Sequence, residues 1–585
     1  MMEKVEREYQ KKSQLITSNI VFFNILAIIT GIACGFIAIG FRYLIFGFQD
    51  LFFIRVGNLL SLFYPYYIVI IPAIGGIFVG ILTYYFAPEA KGHGVPEVMA
   101  AVTVHGGKIR PRVVAIKALA SSICIGSGGS AGREGPIVQM GSATGSTIAQ
   151  KLGLNPYQTK VLVACGAAGG IAGTFNTPIA GVLFALELIL REVKIKSLTP
   201  IVISSVFATI ISRILLALLG VETTFIFEIP QYSLKTPVEI VFYLILGFVT
   251  GTVAIVYTKS LYGIEDIFDR IKIPEFVKPS IGGLCIGIIG LIVMLYTGNP
   301  HVFGVGYESI ELLFDGKIIF AVAFALVFLK IVATSVTLGS GGSGGIFAPS
   351  LFMGAMTGGT FGMAIHKIFP TITTSFEAYA TVGMAAVFAG VSRAILTSIV
   401  MIFEMTGNYA IILPVMFACV ISSSLYKFFM EETIYTMKLK RRGIIVEQEM
   451  DINIMKTIKV KDIMKKDVET VTEELPISEL LNKIMETGHM GFPVVDKNNK
   501  LIGIITHSDL EKVEVKGHSS LRVKDIMTRN LITAYPGETL EDVLEKIGER
   551  EISHFPVVDP KDSGKLIGFF TKGDIIRAYT QKRVE

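Results

Sequence analysis

The chain has 585 residues, 51% of them hydrophobic and only 17% charged, with a net charge of +5. A soluble protein of this size carries about a quarter charged residues, so an ordinary soluble globular protein is excluded. The small basic surplus needs no nucleic-acid partner, because basic segments flanking a membrane account for it.

In chain order, residues 1–19 form a charged segment in which Lys4, Arg7, Lys11 and Lys12 flank the first apolar stretch. It has no apolar core followed by a cleavage site, so no secretory signal is expected. Residues 20–440 then read as a multi-pass membrane domain, with apolar stretches near 20–48, 66–87, 112–127, 157–190, 198–219, 238–260, 278–297, 317–338, 376–403 and 409–430. Some suit a span of about 20 residues; others are too short or are broken by Gly and Pro. Polar, Gly-rich interruptions fall at Gly92–Pro96, Gly126–Pro136 and Gly339–Pro349. Irregular backbone at membrane depth is tolerated only where it is buried in protein or lines a cavity. Cys34, Cys124, Cys165, Cys285 and Cys419 are widely spaced in apolar segments. They form no disulfide framework or metal pattern and are expected to be small buried side chains. Lys438, Lys440, Arg441 and Arg442 close the domain, and with the N-terminal cluster they put both termini in the cytoplasm. A linker, 441–456, leads to two soluble segments, 457–516 and 520–582, rich in Lys, Glu and Asp.

Both parts are internally repeated. With Pro136 set on Pro349, an offset of 213, Met140, Gly141, Thr144 and Gly145 meet Met353, Gly354, Thr357 and Gly358. Further on, at an offset of 217, Gly166, Ala172, Gly173 and Glu187 meet Gly383, Ala389, Gly390 and Glu404. Repeats with interrupted helices in matching positions point to a substrate site near the midplane, where the copies meet. The sequence alone leaves open whether they are inverted. In the tail, Val460–Met464 recurs as Val523–Met527 and Phe492–Asp496 as Phe555–Asp559 at an offset of 63; Gly503–Asp509 recurs as Gly568–Asp574 at 65. Each copy alternates short β-rich runs with amphipathic helical ones, which reads as an α+β module in tandem.

Gly132-Arg133-Glu134-Gly135-Pro136 resembles the GREGP signature of CLC chloride channels and transporters. Gly345-Ile346-Phe347-Ala348-Pro349 resembles the GxFxP signature of that family, and Gly92-His93-Gly94-Val95-Pro96 its GSGIP signature, with His93 where Ser is usual. Phe175-Asn176-Thr177-Pro178 and Tyr435 also fall where the family has them, so the resemblance spans 20–440 with its motifs in order. The tail resembles a pair of CBS domains. The implied fold is an all-α polytopic membrane domain, an inverted repeat with broken helices, followed by an α+β cytoplasmic CBS pair. The resemblance also implies a homodimer with one chloride pore per subunit.

A dehydrated anion needs donors in place of its water, and helix N-termini supply unpaired N–H groups with partial positive charge. Anion contacts are therefore assigned to backbone N–H groups of Gly135, Ile346 and Phe347, with the Tyr435 hydroxyl opposite and Arg133 giving positive potential at the outer mouth. By position Glu134 is the gating glutamate: ionised, it competes with chloride for an anion site; protonated, it leaves. The structural alternative is an ion pair with Arg133. His93 is expected on the inner side of the path, where an imidazole in place of a hydroxyl makes conduction pH-sensitive; alternatively its side chain turns away. By the resemblance, proton-coupled members often carry a second glutamate directly after the position of Glu187, where this chain has Leu188, which relays no proton. The reading therefore favours a passive channel, with a chloride/proton exchanger using Glu134 and Glu187 as the alternative. Glu187 and Glu404 are otherwise braces of helix ends. Lys117, Lys330 and Arg393 are left between snorkelling to the interface and facing protein.

In the tail, Thr506/Asp509 and Thr571/Asp574 are the candidate contacts for an adenine nucleotide (ATP, ADP or AMP) implied by the CBS resemblance; the structural alternative for both is helix N-capping. No cofactor is required for transport, and no metal site or nucleophile–base pair of an enzyme is expected. The alternative class is a CBS-regulated cation transporter. That would want rings of carboxylates, whereas the interruptions offer Gly, Ser, Arg and a single Glu.

Overall fold

A computed structural model describes residues 2–192, 194–221, 227, 232, 234–444, 454–511, 521–547 and 552–584. Most of the expected linker, 445–453, and the boundary between the soluble repeats, 512–520, lie outside the described residues. The chain divides into two compact units, Met1–Glu447 and Gln448–Glu585.

The first unit is helical. Its first copy contains α1 (Met2–Gln49), α2 (Val56–Leu59), α3 (Ile71–Ile81), α4 (Val95–Val104), α5 (Val113–Gly126), α6 (Glu134–Lys151), α7 (Pro156–Phe175), α8 (Pro178–Phe184) and α9 (Ile195–Leu218). The second has α10 (Ile240–Arg270), α11 (Lys278–Thr297), α12 (Tyr307–Phe314), α13 (Phe320–Gly339), α14 (Phe347–Ile368), α15 (Phe376–Ser392), α16 (Ile395–Thr406), α17 (Ile412–Phe429) and α18 (Thr436–Arg441). Among the described residues, seven helical segments are long and apolar enough to cross a membrane. Two stretches that read as continuous, 157–190 and 376–403, are broken. Asn176 and Arg393 adopt left-handed backbone (φ 60° and 57°), ending α7 and α15 and starting α8 and α16 in new directions. The two breaks sit at repeat-equivalent positions. Four cysteines are buried as expected, but Cys285 is exposed, because it lies on the outward face of α11 beside Ile281, Leu284 and Ile288.

Close crossings explain the repeated glycines. A Cβ on Gly141 of α6 would collide with the Gly166 carbonyl of α7, and one on Gly354 of α14 with the Gly383 carbonyl of α15. Small residues let helix backbones approach in this way where apolar burial gives no drive.

The copies also contact one another reciprocally. Glu187, in the wide turn Ala185–Leu190 that ends α8, accepts from the N–H groups of Leu396 (3.2 Å) and Thr397 (2.8 Å) at the start of α16. Glu404 of α16 accepts from those of Ile179 (3.0 Å) and Ala180 (2.7 Å) at the start of α8. These are equivalent positions, offset by 217, with the copies exchanged. Ser130 meets Thr334 (3.1 Å), and their equivalents Ser343 and Ser121 meet at 2.9 Å. Gly132 and Gly345, themselves equivalent, exchange N–H···O bonds of 2.8 and 2.6 Å. Such pairs arise when a two-fold axis relates the copies locally.

In the second unit, β1 (Val471–Thr472), β2 (Gly491–Val495) and β3 (Leu501–Thr506) form one sheet in that order, β1 parallel and β3 antiparallel to β2. β4 (His554–Asp559) and β5 (Asp562–Thr571) form an antiparallel pair. Their registers correspond: Phe492 faces Ile505, and Phe555 faces Phe570. Each copy has its own small apolar core, one around Val471, Leu480 and Phe492, the other around Ala534, Leu540 and Phe555. The copies are laced by exchanged segments. Lys465 bonds both ways with Phe569 (2.9 and 3.0 Å), and Thr528 both ways with Ile504 (2.9 and 3.0 Å).

Candidate functional site

The three Gly-rich interruptions of the membrane unit meet. The Gly92 N–H donates to Gly342 O (2.9 Å), the Gly344 N–H to Gly92 O (3.3 Å), and Gly132 and Gly345 form the reciprocal pair described above. Each interruption leads into a helix, so the starts of α4, α6 and α14 are drawn together. Gly94, the N-cap of α4, has φ 72°, and a Cβ there would lie 2.8 Å from the Gly135 carbonyl, so only glycine fits.

Glu134 is the first residue of α6 and is 2% exposed. Its carboxylate does not pair with Arg133. Oε2 accepts from the Ala348 N–H at 3.3 Å and Oε1 from the Tyr307 hydroxyl at 2.9 Å. An acid of one copy thus lies over the first turn of α14 in the other, where unpaired helix-start amides favour negative charge. Ile346 is the N-cap of α14 and Phe347 its first residue, both buried, and Gly345 packs directly on Gly135. The predicted amide donors are therefore close neighbours of Glu134.

The Arg133 guanidinium points the other way, 5.5 Å from the Tyr307 ring centre and 5.7 Å from that of Phe175. It lines a cavity of about 440 Å³ together with Arg42, Arg213, His301 and Tyr307. His93 is 4% and Tyr435 1% exposed, with ring centres 6.1 Å apart. Among the described residues His93 Nδ1 has no hydrogen-bond partner. The His93 carbonyl abuts Gly135, which ties this residue to the start of α6.

Glu187, a candidate for the proton path, is engaged elsewhere: besides the two amides at the start of α16, it accepts from the Thr397 hydroxyl at 2.6 Å. Leu188 is buried. Lys117 and Lys330 do not snorkel. Both are fully buried; Lys117 Nζ donates to Ala90 O (2.9 Å) and Gly92 O (2.7 Å), and Lys330 Nζ to Val302 O and Gly304 O (3.1 Å each). The sequence held the signal for this pair, since the two lysines lie 213 residues apart. Nothing in it flagged Tyr307, 173 residues from Glu134.

In the tail, each Thr-x-x-Asp closes on itself. The Thr506 N–H and hydroxyl donate to Asp509 Oδ2 (3.0 and 2.8 Å), and those of Thr571 to Asp574 Oδ2 (2.9 and 2.8 Å). The two pairs differ in setting. Thr571 and Asp574 line a cleft of about 370 Å³ between the repeats, with Lys465, Asp467, His489 and His554; Thr506 and Asp509 do not. Burial in this cleft pushes the His554 imidazole below the usual histidine range.

Two duplicated copies, joined at broken helices around a buried acid and helix-start amides, define a polytopic anion-transport protein rather than an enzyme. The chain belongs to the voltage gated chloride channel family, whose profile matches residues 75–427, and carries two CBS domains, matched over 460–516 and 523–581. It is 29% identical over 568 residues to chloride channel protein CLC-f of Arabidopsis thaliana, covering 84% of this chain and 70% of that one. It is 32% identical to the H(+)/Cl(-) exchange transporter ClcA of Vibrio parahaemolyticus, covering 62% and 76%. Among solved structures, a slow cyanobacterial Cl-/H+ antiporter matches with TM-score 0.65 and 25% identity, covering 72% of this chain and 97% of that one.

Proposed function

We propose that each subunit of a homodimer conducts chloride past Glu134, both termini lying in the cytoplasm. The observation that carries this is the Glu134 carboxylate seated on the first turn of α14, in the place a chloride would take. Ionised, it blocks; protonated, it loses the charge that holds it there and the anion replaces it. Backbone N–H groups of Gly135, Ile346 and Phe347 and the Tyr435 hydroxyl coordinate the ion. Arg133 attracts it from the outer cavity, and His93 meets it on the inner side, where its protonation changes the number of donors offered.

Passive conduction is the reading preferred here. Leu188 offers no proton carrier, and both Glu187 oxygens are held at α16. The second reading, chloride/proton exchange, is favoured by the likeness to named exchangers. Chloride efflux from proteoliposomes, with a proton electrode and opposed gradients, separates the two. Proton movement driven by chloride would reject the passive reading; absence of chloride efflux, even with Glu134→Gln, would reject both.

The cleft beside Thr571 is the site we assign to an adenine nucleotide. Lys465 and Lys572 offer positive charge to phosphate, and Asp574 offers Oδ1 to ribose while Oδ2 stays on Thr571. Thr506 and Asp509, which do not line this cleft, serve as a helix cap.

A further inference from the structure

Tyr307 lies outside every motif that marks the site, yet it supplies a side-chain hydrogen bond to the Glu134 carboxylate. We propose that Tyr307 is a latch: a positioning residue whose hydroxyl holds Glu134 in its blocking position and so sets the acidity at which the pathway opens. The inference rests on the reading of Glu134 as the gate.

Its ring is confined. Tyr307 opens α12 directly after Gly306, whose φ of 93° turns the chain sharply at that point. Phe227 stands edge-on to the ring (centres 5.5 Å apart, 88°), and the Arg133 guanidinium lies 5.5 Å from its centre. A ring fixed on two sides cannot follow the carboxylate when it moves, so the 2.9 Å bond breaks on opening. A hydrogen bond to an ionised carboxylate is roughly twice as strong as one to a neutral group. The latch therefore discriminates between the two protonation states, as a residue must if it is to shift an equilibrium between them.

Other groups around Glu134 act on it differently. Arg133 is its neighbour on α6 and Tyr435 approaches from the start of α18. Lys330 packs beneath Gly306 with its ammonium on backbone carbonyls, and Arg42 lies behind Arg133. Among the described residues these give charge or bulk near the carboxylate, while the Tyr307 hydroxyl, the Ala348 amide and the backbone amide of Glu134 itself bond to it, Tyr307 being the side chain among them.

The test is chloride efflux from proteoliposomes as a function of pH for wild type, Tyr307→Phe, Glu134→Gln and the double variant. Tyr307→Phe keeps the ring and removes the donor. Its activation midpoint is expected about one pH unit higher, a tenfold change in the proton concentration needed, and flux above the wild-type midpoint rises about tenfold. In the Glu134→Gln background the same substitution is expected to change nothing. An unmoved or lowered midpoint, or an equal effect in both backgrounds, overturns the latch. A wild-type midpoint retained by Glu134→Gln overturns instead the gate on which it rests. Should Tyr307→Phe not be recovered folded, Phe227→Leu, which frees the ring on one side, is expected to raise the midpoint by a smaller amount, and no rise overturns the proposal.

Discussion

The two copies of the membrane unit brace each other at matched positions and differ at the helix starts that carry Glu134 and Phe347. Glu187 and Glu404 cap each other's helices, and Lys117 and Lys330 each hold a pair of backbone carbonyls. At the repeat-equivalent positions 134 and 347, however, one copy has a glutamate and the other a phenylalanine. The carboxylate of the first lies on the amide of Ala348, next to the second. The reciprocal Gly132–Gly345 pair keeps the starts of α6 and α14 together, and on the proposed function the single unmatched acid between them turns an anion cradle into one that can be closed. The CBS repeats exchange segments just as evenly, but their difference lies in setting: the Thr–Asp cap of the second copy lines the cleft of about 370 Å³ and that of the first does not line it.

The largest way to break this comparison is to make the two copies alike in charge. Glu134→Gln is expected to give chloride efflux independent of pH, and at alkaline pH ~10-fold or more above wild type, since a charge-assisted hydrogen bond is worth about 1.5 kcal/mol or more. Efflux from proteoliposomes reads this directly; unchanged pH dependence would mean that the asymmetry at 134 and 347 has no gating consequence.

Next come the matched braces. Glu187→Ala and Glu404→Ala each leave two helix-start amides without their acceptor, a loss of about 2 kcal/mol. The melting temperature of the purified protein in detergent should fall by similar amounts in both. If only Glu187→Ala altered proton movement in the exchange assay, Glu187 would be a relay as well as a brace.

The soluble repeats give a smaller contrast. Thr506→Ala and Thr571→Ala each remove a cap worth about 1 kcal/mol. Only Thr571→Ala is expected also to lose a melting-temperature rise produced by ATP, ADP or AMP in the full-length protein. Equal loss in both would put the ligand somewhere other than the described cleft.

The smallest effect concerns His554. Burial lowers its affinity for a proton in the folded tail, so the unfolded chain binds more protons near the ordinary histidine value of about 6.5. Stability of the tail is therefore full above that value and declines as pH falls through it. Thermal melts of the CBS transition at stepped pH should show the decline, and His554→Asn should remove this part of it.

Much of this was legible from residues alone. Apolar stretches, Gly–Pro interruptions and two internal repeats follow from local composition and fixed spacing, so they declared the membrane domain, the tandem tail and the signature segments that carry Glu134, Ile346 and Phe347. Spacing also contained the lysine pair at 117 and 330, although only their buried carbonyl partners give it meaning. Three things were decided by the tertiary structure. Residues 157–190 and 376–403 break because Asn176 and Arg393 turn left-handed, which no apolar run announces. Glu187 takes its place from amides 209 and 210 residues away. Tyr307 reaches Glu134 only because the chain returns from the far copy. Patterning along a chain records what each segment must bury. A hydrogen bond across a two-fold axis depends on where the second copy lands, and that is settled only when the helices pack.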